Sequence, residues 1–495
     1  MRLAGSLLSG VLILSVLTVA VQADGGIRIS PDNPRYWELD GQPELLIGGS
    51  RQDSLFQISD LEEHLDLLAA SGGNYVRNTM SHRAPGAIWP YRKEFTSAPG
   101  NHVDDEPWQN RFTDRVESLL PGSTGVYPRY HLTEQRREYW QRLEALLRLA
   151  RQRDIVVQIE IWDRFDFARD PWLLNPYNPA NNVNYSAEQS GLEEDYPEHP
   201  NKNDNPFFRS LPELDDNRLL LGLQQAYVDR LLFISLNYDN VLYTVSNETS
   251  GDPAWSEYWA RYVKNRAAER GVHVNVTEMW DPWDITAPMH DNTFAHPELY
   301  DFADVSQNNH QLGQAHWDKL NVRWTRIADR PRPLNNVKIY GGSDDTFGSE
   351  DDAIDRFWRN LLGGAASVRF HRPDLGIGLD EAAQKHIRSA RMITDELDWM
   401  AMEPALDLLD DREPDEAYLF AQPGRQYLLY FTDGGRVSLR TPAGTERLAG
   451  RWLRPDRAEW GDIVEYKVEG GVDIEAPGGG RWLLILRNSP PRPGP

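Results

Sequence analysis

The stretch Val241-Leu-Tyr-Thr-Val-Ser-Asn-Glu-Thr-Ser250 decides how the rest of the chain is interpreted. Its apolar first half predicts a buried strand, which stops at Asn247 and Glu248. Barrels of parallel strands carry their chemistry at the carboxyl ends of those strands. Glu248 is therefore the first candidate for a catalytic group. An ordinary helix-capping carboxylate is the alternative, because a helix is predicted from Ala254.

The same alternation of apolar strand and amphipathic helix recurs along most of the chain. The predicted strands are 45–49, 74–80, 155–161, 241–245, 272–277, 300–305, 336–340 and 366–370. Helices are predicted between them, one of them at 133–153 with Thr133 as its cap. This pattern predicts a (β/α)₈ barrel. A doubly wound open sheet is the second possibility, disfavoured because no glycine-rich phosphate-binding turn follows the first strand.

The two ends of the chain differ from its middle. After residue 410, short strands separated by Gly, Asp and Pro predict a small β-sandwich over 411–489, followed by a disordered tail at 490–495. An apolar segment with small residues around Ala23 predicts a signal peptide over 1–23, with an uncleaved membrane anchor as the alternative. We therefore expect a secreted or periplasmic protein, without stable membrane insertion after cleavage, whose barrel occupies 24–410.

Composition excludes several classes of function. The chain has no cysteine, which removes cysteine metal sites and cysteine nucleophiles. Its net charge of −24 argues against a nucleic-acid partner, because such a partner requires a basic face. His82, His310 and His371 do not show the spacing of a His-Glu-x-x-His zinc motif. We expect neither a metal nor another cofactor.

Polar or charged side chains end nearly every predicted barrel strand, which predicts a pocket at one face. Cleavage of a glycosidic bond needs two carboxylates, one to protonate the leaving oxygen and one to attack or to position water. We expect partial burial to raise the pKa of Glu248, which would make it the acid/base. Glu278 ends the next strand and is the predicted second carboxylate, with an ion-pair role as the alternative. The rival carboxylates are Glu160, Asp163, Asp281 and Asp344.

Other residues at the strand ends predict a carbohydrate substrate. Trp162, Trp280 and Trp317 suit stacking on a sugar, although a single Trp is more often part of a core. His310 suits a hydrogen bond to a hydroxyl group, or is simply a satisfied buried histidine. The cationic residues suit an acidic glycan, because arginine binds carboxylates in a bidentate manner. The predicted substrate-binding residues are Arg77, Asn78, Trp162, Asn247, Trp280, His310, Lys338, Tyr340, His371 and Arg372.

Several short motifs add a resemblance. They are Leu39-Asp-Gly-Gln-Pro43, Gly73-Asn-Tyr-Val-Arg77, Ser246-Asn-Glu-Thr249, Phe357-Trp-Arg-Asn360, Phe370-His-Arg-Pro373 and Gly478-Gly-Gly-Arg-Trp-Leu-Leu-Ile-Leu486. Asn247-Glu248 resembles the end of the fourth strand in clan A glycoside hydrolases, which implies that Glu248 is the acid/base. The ordered set resembles the apiosidase-like barrel proteins that carry a C-terminal domain of the collagen-binding type. This resemblance implies a glycoside hydrolase barrel followed by a β-sandwich.

The chain departs from clan A on its seventh strand. That clan usually presents its nucleophilic glutamate there, whereas this chain has Val337-Lys-Ile-Tyr340 with Ile339 at the corresponding position. Either the second carboxylate comes from elsewhere, with Glu278 favoured and Asp344 next, or the usual double displacement is lost. Retention and inversion of configuration both remain open.

The sequence as a whole predicts a secreted glycoside hydrolase that acts on a poly- or oligosaccharide. Long loops at 82–132 and 164–214 are expected to wall the mouth of the barrel, which favours exo-action. The alternative is a non-catalytic barrel that binds a glycan or the extracellular matrix. A polysaccharide lyase is a less favoured alternative.

Overall fold

Eight parallel strands form the centre of the molecule, which confirms the predicted (β/α)₈ barrel. The computed structural model describes residues 25–94, 129–342 and 347–488. The predicted signal peptide, residues 95–128 of the predicted loop at 82–132, the tail at 490–495 and Asp344 therefore lie outside the described residues. The strands are β1 (Leu46–Gly49), β2 (Tyr75–Thr79), β3 (Val156–Asp163), β4 (Val241–Asn247), β5 (Asn275–Thr277), β6 (Ala303–Asp304), β7 (Leu334–Ile339) and β8 (Ser367–Phe370). Their order is β5-β4-β3-β2-β1-β8-β7-β6. Every strand residue is buried, as expected for parallel strands covered by helices.

Between β5 and β6, loop residues supply the contacts that a strand ladder supplies elsewhere in the barrel. The amide of Asp301 donates to the Val276 carbonyl at 2.9 Å, and the Asp301 carboxylate accepts from the Val276 amide at 2.8 Å. Thr277 Oγ1 donates to the Phe302 carbonyl at 2.7 Å. The barrel is therefore nearly closed, with a seam at this point.

A helix follows each strand and covers the outside of the barrel. The helices are α1 (Leu61–Ala70), α2 (Arg137–Arg151), α3 (Arg218–Ser235), α4 (Pro253–Ala268), α5 (Asp291–Ala295), α6 (Gly313–Arg326), α7 (Glu350–Leu362) and α8 (Glu381–Thr394). Two shorter helices, Arg169–Leu174 and Ala187–Ser190, lie in the loop after β3. Across the described ranges, no helix is both long and apolar enough to cross a membrane.

The predicted start of α2 at Thr133 is wrong. Arg129–Gln135 is a strand that pairs with Tyr91–Glu94 in an antiparallel hairpin. Tyr130 and Leu132 are buried at alternate positions, which is the period of a strand with one covered face. Burial of this face outweighs the capping preference of Thr133.

A small antiparallel sheet precedes the barrel. Its strands are Ile27–Ile29, Trp37–Leu39 and Gln42–Glu44. Asp40 and Gly41, with φ of 52° and 79°, form its hairpin turn. Trp37 Nε1 donates to Asn335 Oδ1 at 2.9 Å. Because Asn335 lies at the start of β7, this sheet covers the amino end of the barrel and leaves the carboxyl end for a site.

The C-terminal part forms two antiparallel sheets that pack as a sandwich, as the sequence predicts. One sheet contains Glu403–Pro404, Ala417–Gln422, Gln426–Phe431, Trp482–Asn488, Arg447–Arg454 and Glu459–Lys467, and the other contains Leu409–Asp410, Arg436–Leu439 and Val472–Glu475. Leu429, Leu439 and Ile474 are among the buried residues between them. Two of these strands begin before residue 411, at Glu403 and Leu409.

The sandwich packs against α7 and shares buried apolar contacts with the barrel. Phe420 and Tyr430 belong to the same apolar cluster as the barrel core. Asp355 on α7 accepts a hydrogen bond from Tyr430 Oη at 2.6 Å and one from Arg481 Nε at 2.8 Å. These contacts attach the sandwich to the outside of the barrel at α7.

Candidate active site

Glu248 lies directly after β4 in an unusual backbone conformation. Its φ is 54°, in the left-handed region that a residue with a side chain seldom adopts. The backbone beyond it is fixed, because the Thr249 amide donates to the Met279 carbonyl at 2.9 Å and the Asp281 amide donates to the Thr249 carbonyl at 3.0 Å. Strained backbone of this kind is concentrated at functional sites, where the surrounding structure holds it in place.

Lys338 on β7 forms an ion pair with Glu248 across the mouth of the barrel. Its ammonium also donates to Asn247 Oδ1 at 2.6 Å, and its side chain is 1% exposed. Burial by itself raises the pKa of Glu248. The Lys338 ammonium, aided by Gln307 and Arg77, outweighs burial and lowers that pKa to about 2. The expected raised pKa of Glu248 is therefore wrong, and Glu248 is ionised at neutral pH.

Arg77 connects the ends of β2, β3 and β4. Its Nε donates to Glu160 Oε1 at 2.6 Å, and its Nη2 donates to Asn247 Oδ1 at 2.9 Å. Its Nη1 lies 2.8 Å from Asp53 Oδ1. Asn78 is fully buried and accepts from the Phe56 amide at 3.0 Å, so it supports the loop after β1. Arg77 holds the amide oxygen of Asn247 where Lys338 also reaches it.

Asp53 is the centre of a cationic cluster that the sequence did not single out. Arg77, Arg369 and Arg372 all pair with it, and His371 Nδ1 lies 3.6 Å from its Oδ1. Burial opposes its ionisation, but these cations, Arg77 foremost, hold the pKa of Asp53 well below its usual value. The only sequence signal was its place in the loop after β1, four residues beyond the strand.

Tyr340 and His371 lie beside this cluster at the ends of β7 and β8. Their rings pack 4.4 Å apart. Burial lowers the pKa of His371 well below its usual value, so the ring is neutral at neutral pH. Burial, reinforced by the charge of Glu248, raises the pKa of Tyr340 well above its usual value. The structure thus brings Tyr340 and His371 together with Arg372, Lys338 and Glu248 at one end of the barrel.

Glu278 is completely buried beside β4. Its Oε1 accepts from the Ser246 amide at 2.8 Å and from the Met279 amide at 2.9 Å. Burial raises its pKa to about 8, against the lowering effect of these donors and of Ser256 on α4. Glu278 is therefore protonated at neutral pH. Its hydrogen bonds tie β5 to β4, and its role as a second catalytic carboxylate stays a prediction.

The rival carboxylates also have structural partners. Glu160 accepts from Thr79 Oγ1 at 2.8 Å in addition to Arg77. Asp163 accepts from Asn247 Nδ2 at 3.0 Å and pairs with Arg83. Asp281 Oδ2 accepts from Ser250 Oγ at 3.0 Å, and Ser250 follows Glu248 closely in the chain. Within the described ranges, no group of three or more His, Cys, Asp or Glu residues is arranged to hold a metal ion.

The three predicted stacking tryptophans are buried. Trp317 is 2% exposed, and its ring packs against Tyr418. Trp162 is 3% exposed, and its ring packs against Phe207, Tyr227, Trp255 and Trp259. Trp280 is 2% exposed and donates from Nε1 to Thr293 Oγ1 at 2.7 Å. This placement favours the core role that the sequence left open for all three tryptophans. Among the described tryptophans, the exposed indole is Trp283, which stacks on His310.

A cavity of about 620 Å³ opens beside the cationic cluster around Asp53. Loops after β1, β2, β3 and β8 line it, and its cationic lining residues are Arg51, Arg83, Arg169 and Arg372. Phe165 and Pro373 add apolar surface to the same walls. The guanidinium groups give the cavity the chemistry to bind a carboxylate or sulfate group.

No protein-family model matches the sequence, and no curated protein matches it. The fold does match solved structures of glycoside hydrolases. One glycoside hydrolase superposes with a TM-score of 0.61 at 11% identity, covering 94% of this chain and 97% of its own. A family 5 glycoside hydrolase from Bacteroides vulgatus superposes with a TM-score of 0.62 at 11% identity, covering 94% of both chains.

These comparisons show a glycoside hydrolase-like fold, and their coverage extends over the barrel and the sandwich. At 11% identity they do not show a shared activity, because one barrel fold serves many reactions.

Proposed function

We propose that this protein is a glycoside hydrolase that cleaves an O-glycosidic bond in an oligo- or polysaccharide, with Glu248 as its reacting carboxylate. One observation carries the proposal. Glu248 is held in a left-handed backbone conformation at the carboxyl end of β4, and Lys338 fixes its side chain across the barrel mouth. A surface helix cap requires neither the strain nor the buried partner. The glycoside hydrolase-like fold supports the same conclusion.

The charge of Glu248 limits its role in the proposed reaction. Because it is ionised in the free protein, it acts first as a base or a nucleophile. As a base it accepts a proton from water that attacks the anomeric carbon, and as a nucleophile it attacks that carbon and forms a glycosyl-enzyme. The leaving oxygen needs a proton from a second group. Glu278 carries a proton at neutral pH, but its burial means that a movement must expose it to substrate.

The test is the Glu248→Gln variant, which keeps the size of the side chain and removes its charge. Wild type and variant are assayed on a panel of aryl glycosides, which includes an apioside because of the resemblance described above. We expect kcat/KM to fall by about 10³-fold on the active substrate. Glu257→Gln on α4 is the matched control, since Glu257 forms an ion pair with Arg261 outside the site. Full activity in Glu248→Gln would refute the proposal.

Exo-action on a chain end is the first finer part of the proposal. The loop after β3 supports it, because Arg169, Asp170 and Pro200 from this loop form one wall of the cavity. A walled pocket accepts a chain end more readily than the middle of a polymer. Product analysis over time should show one small sugar from the start, whereas early oligosaccharides of mixed length would contradict exo-action.

An acidic substrate is the second finer part. Arg83 and Arg372 line the cavity, with side chains 20% and 18% exposed, while each also pairs with an acidic residue. Such half-open guanidinium groups suit a uronate or sulfate group on the sugar. Turnover of matched acidic and neutral forms of one glycan tests this point. Equal kcat/KM for both forms would contradict an acidic substrate.

A second candidate function is a binding protein that does not cleave its glycan. The observation that favours it is the end of β7, where Lys338 faces Glu248 and Ile339 is fully buried. Binding of an oligosaccharide without turnover, unchanged in Glu248→Gln, would establish this alternative. An unsaturated uronate product would instead establish a lyase.

Secretion or periplasmic location is also proposed, on the basis of the predicted signal peptide at 1–23. Sequencing the amino terminus of the exported protein tests it, and a mature chain should begin near Asp24. Collagen binding by the sandwich is a separate question, which a pull-down on immobilised collagen answers.

A further inference from the structure

Trp283 is an exposed indole that the proposed reaction leaves without a role. Its side chain is 60% exposed, whereas Trp280, three residues earlier, is 2% exposed. Folding alone does not favour a large ring in water, and exposed aromatic surface often marks a binding site.

The loop that carries Trp283 is fixed on both sides of the indole. His290 Nε2 lies 2.8 Å from the Pro282 carbonyl. On the other side, Lys319 Nζ pairs with Asp284 Oδ2 at 2.8 Å, and Asp284 Oδ1 accepts from the Thr286 amide at 2.9 Å. The exposure of Trp283 is therefore a property of an ordered turn.

A row of rings connects Trp283 with the mouth of the barrel. Trp283 stacks on His310 with ring centres 3.7 Å apart and planes at 13°. His310 contacts Phe347 at 4.7 Å, Phe347 contacts Tyr340 at 4.6 Å, and Tyr340 contacts His371 at 4.4 Å. The stack covers one face of the indole and leaves the ring oriented toward solvent beside the site.

We propose that the outward face of Trp283, backed by His310, is a platform that binds a sugar ring of the substrate chain away from the bond that is cleaved. The apolar C–H face of a pyranose ring matches an indole face, and a stacked neighbour fixes the indole in advance. Its place on the aromatic row puts the bound ring on the same glycan that reaches Glu248. The inference rests on the proposed function for the class of ligand, but it does not require cleavage.

The test measures binding in the Glu248→Gln background, so that no probe is consumed. Cellohexaose, xylohexaose, mannohexaose and the corresponding disaccharides are titrated by calorimetry. We expect Trp283→Ala to weaken binding of the recognised hexasaccharide by about tenfold and binding of its disaccharide by less. Trp283→Phe should restore part of the affinity, because it restores an aromatic face.

Phe233→Ala is the matched control. Phe233 is 54% exposed, similar to Trp283, but it lies near the C-terminal end of α3, away from the barrel mouth. This variant should bind every probe as the parent does. Unchanged hexasaccharide binding in Trp283→Ala, or no binding of any hexasaccharide by the parent, would overturn the inference.

The two proposals fail in different ways. If the wild type cleaves nothing but its binding depends on Trp283, the hydrolase function fails and the platform stands. If cleavage depends on Glu248 and Trp283→Ala changes no affinity, the platform fails and the hydrolase function stands.

Discussion

Replacing Glu278 by Gln should make the free energy of unfolding fall less as the pH rises. Glu278 is fully buried, and its carboxyl group accepts two hydrogen bonds from the Ser246 and Met279 amides. The side-chain carbonyl of Gln accepts the same two bonds and carries no titrating proton. Glu278→Gln therefore imitates the protonated acid at every pH.

The magnitude follows from the raised pKa of Glu278. Burial raises it from 4.5 to about 8 in the folded protein. Below about pH 4.5 both states are protonated, and the full contribution to stability is present. Between about pH 4.5 and 8 the unfolded chain loses the proton while the folded protein keeps it, so stability falls as pH rises. The total loss is on the order of 5 kcal/mol, and it is constant above about pH 8.

The assay is urea-induced unfolding at about pH 5, 6.5 and 8.5, monitored by tryptophan fluorescence. Other buried acids, such as Asp304, titrate in both proteins and cancel in the difference. We expect the difference in unfolding free energy, variant minus wild type, to grow steadily with pH. A difference that stays constant from acid to alkaline pH would refute the reasoning. Glu257→Gln is the control for the substitution itself, and activity of Glu278→Gln tests whether this carboxyl also transfers a proton in the reaction.

Two further substitutions test the charges at the mouth. Lys338→Met removes the cation that offsets burial of Glu248, so the pKa of Glu248 should rise. The acidic limb of the pH profile of kcat/KM should then move upward by about two pH units or more. An unmoved limb would show that Glu248 does not control it. Arg77→Met leaves Glu160 buried without its cation and should lower the unfolding free energy by about 3 to 5 kcal/mol. Arg436→Met, which breaks a surface pair, should cost less than about 1 kcal/mol, and equal losses in the two variants would contradict this account.

The sequence was sufficient for the barrel because the hydrophobic pattern determines its strands. Each apolar run is buried on both faces, so the pattern needed no knowledge of distant contacts. The same holds for the turn at Asp40 and Gly41, where the residues themselves favour the backbone. Thr133 shows the limit, since tertiary burial of Tyr130 and Leu132 made a strand where local capping predicts a helix.

The site depended on contacts between residues far apart in the chain, which the sequence does not reveal. Lys338 and Glu248 were both singled out, but only the fold shows that they form an ion pair and that the pKa of Glu248 is lowered. Composition likewise suggested tryptophan stacking without showing which indole is exposed. That choice follows from the anchored turn at Trp283, whose partners lie on other elements.

The stack of Trp283 on His310 also connects the two sides of the seam between β5 and β6. Trp283 follows β5 and His310 follows β6, so their stack joins the two strands between which loop contacts replace a ladder. The aromatic stack therefore bridges the gap in the strand ladder at the carboxyl end of the barrel. Any widening of the seam must separate the two rings. A sugar bound on Trp283 would therefore rest on the ring contact that joins β5 and β6 at the carboxyl end of the barrel.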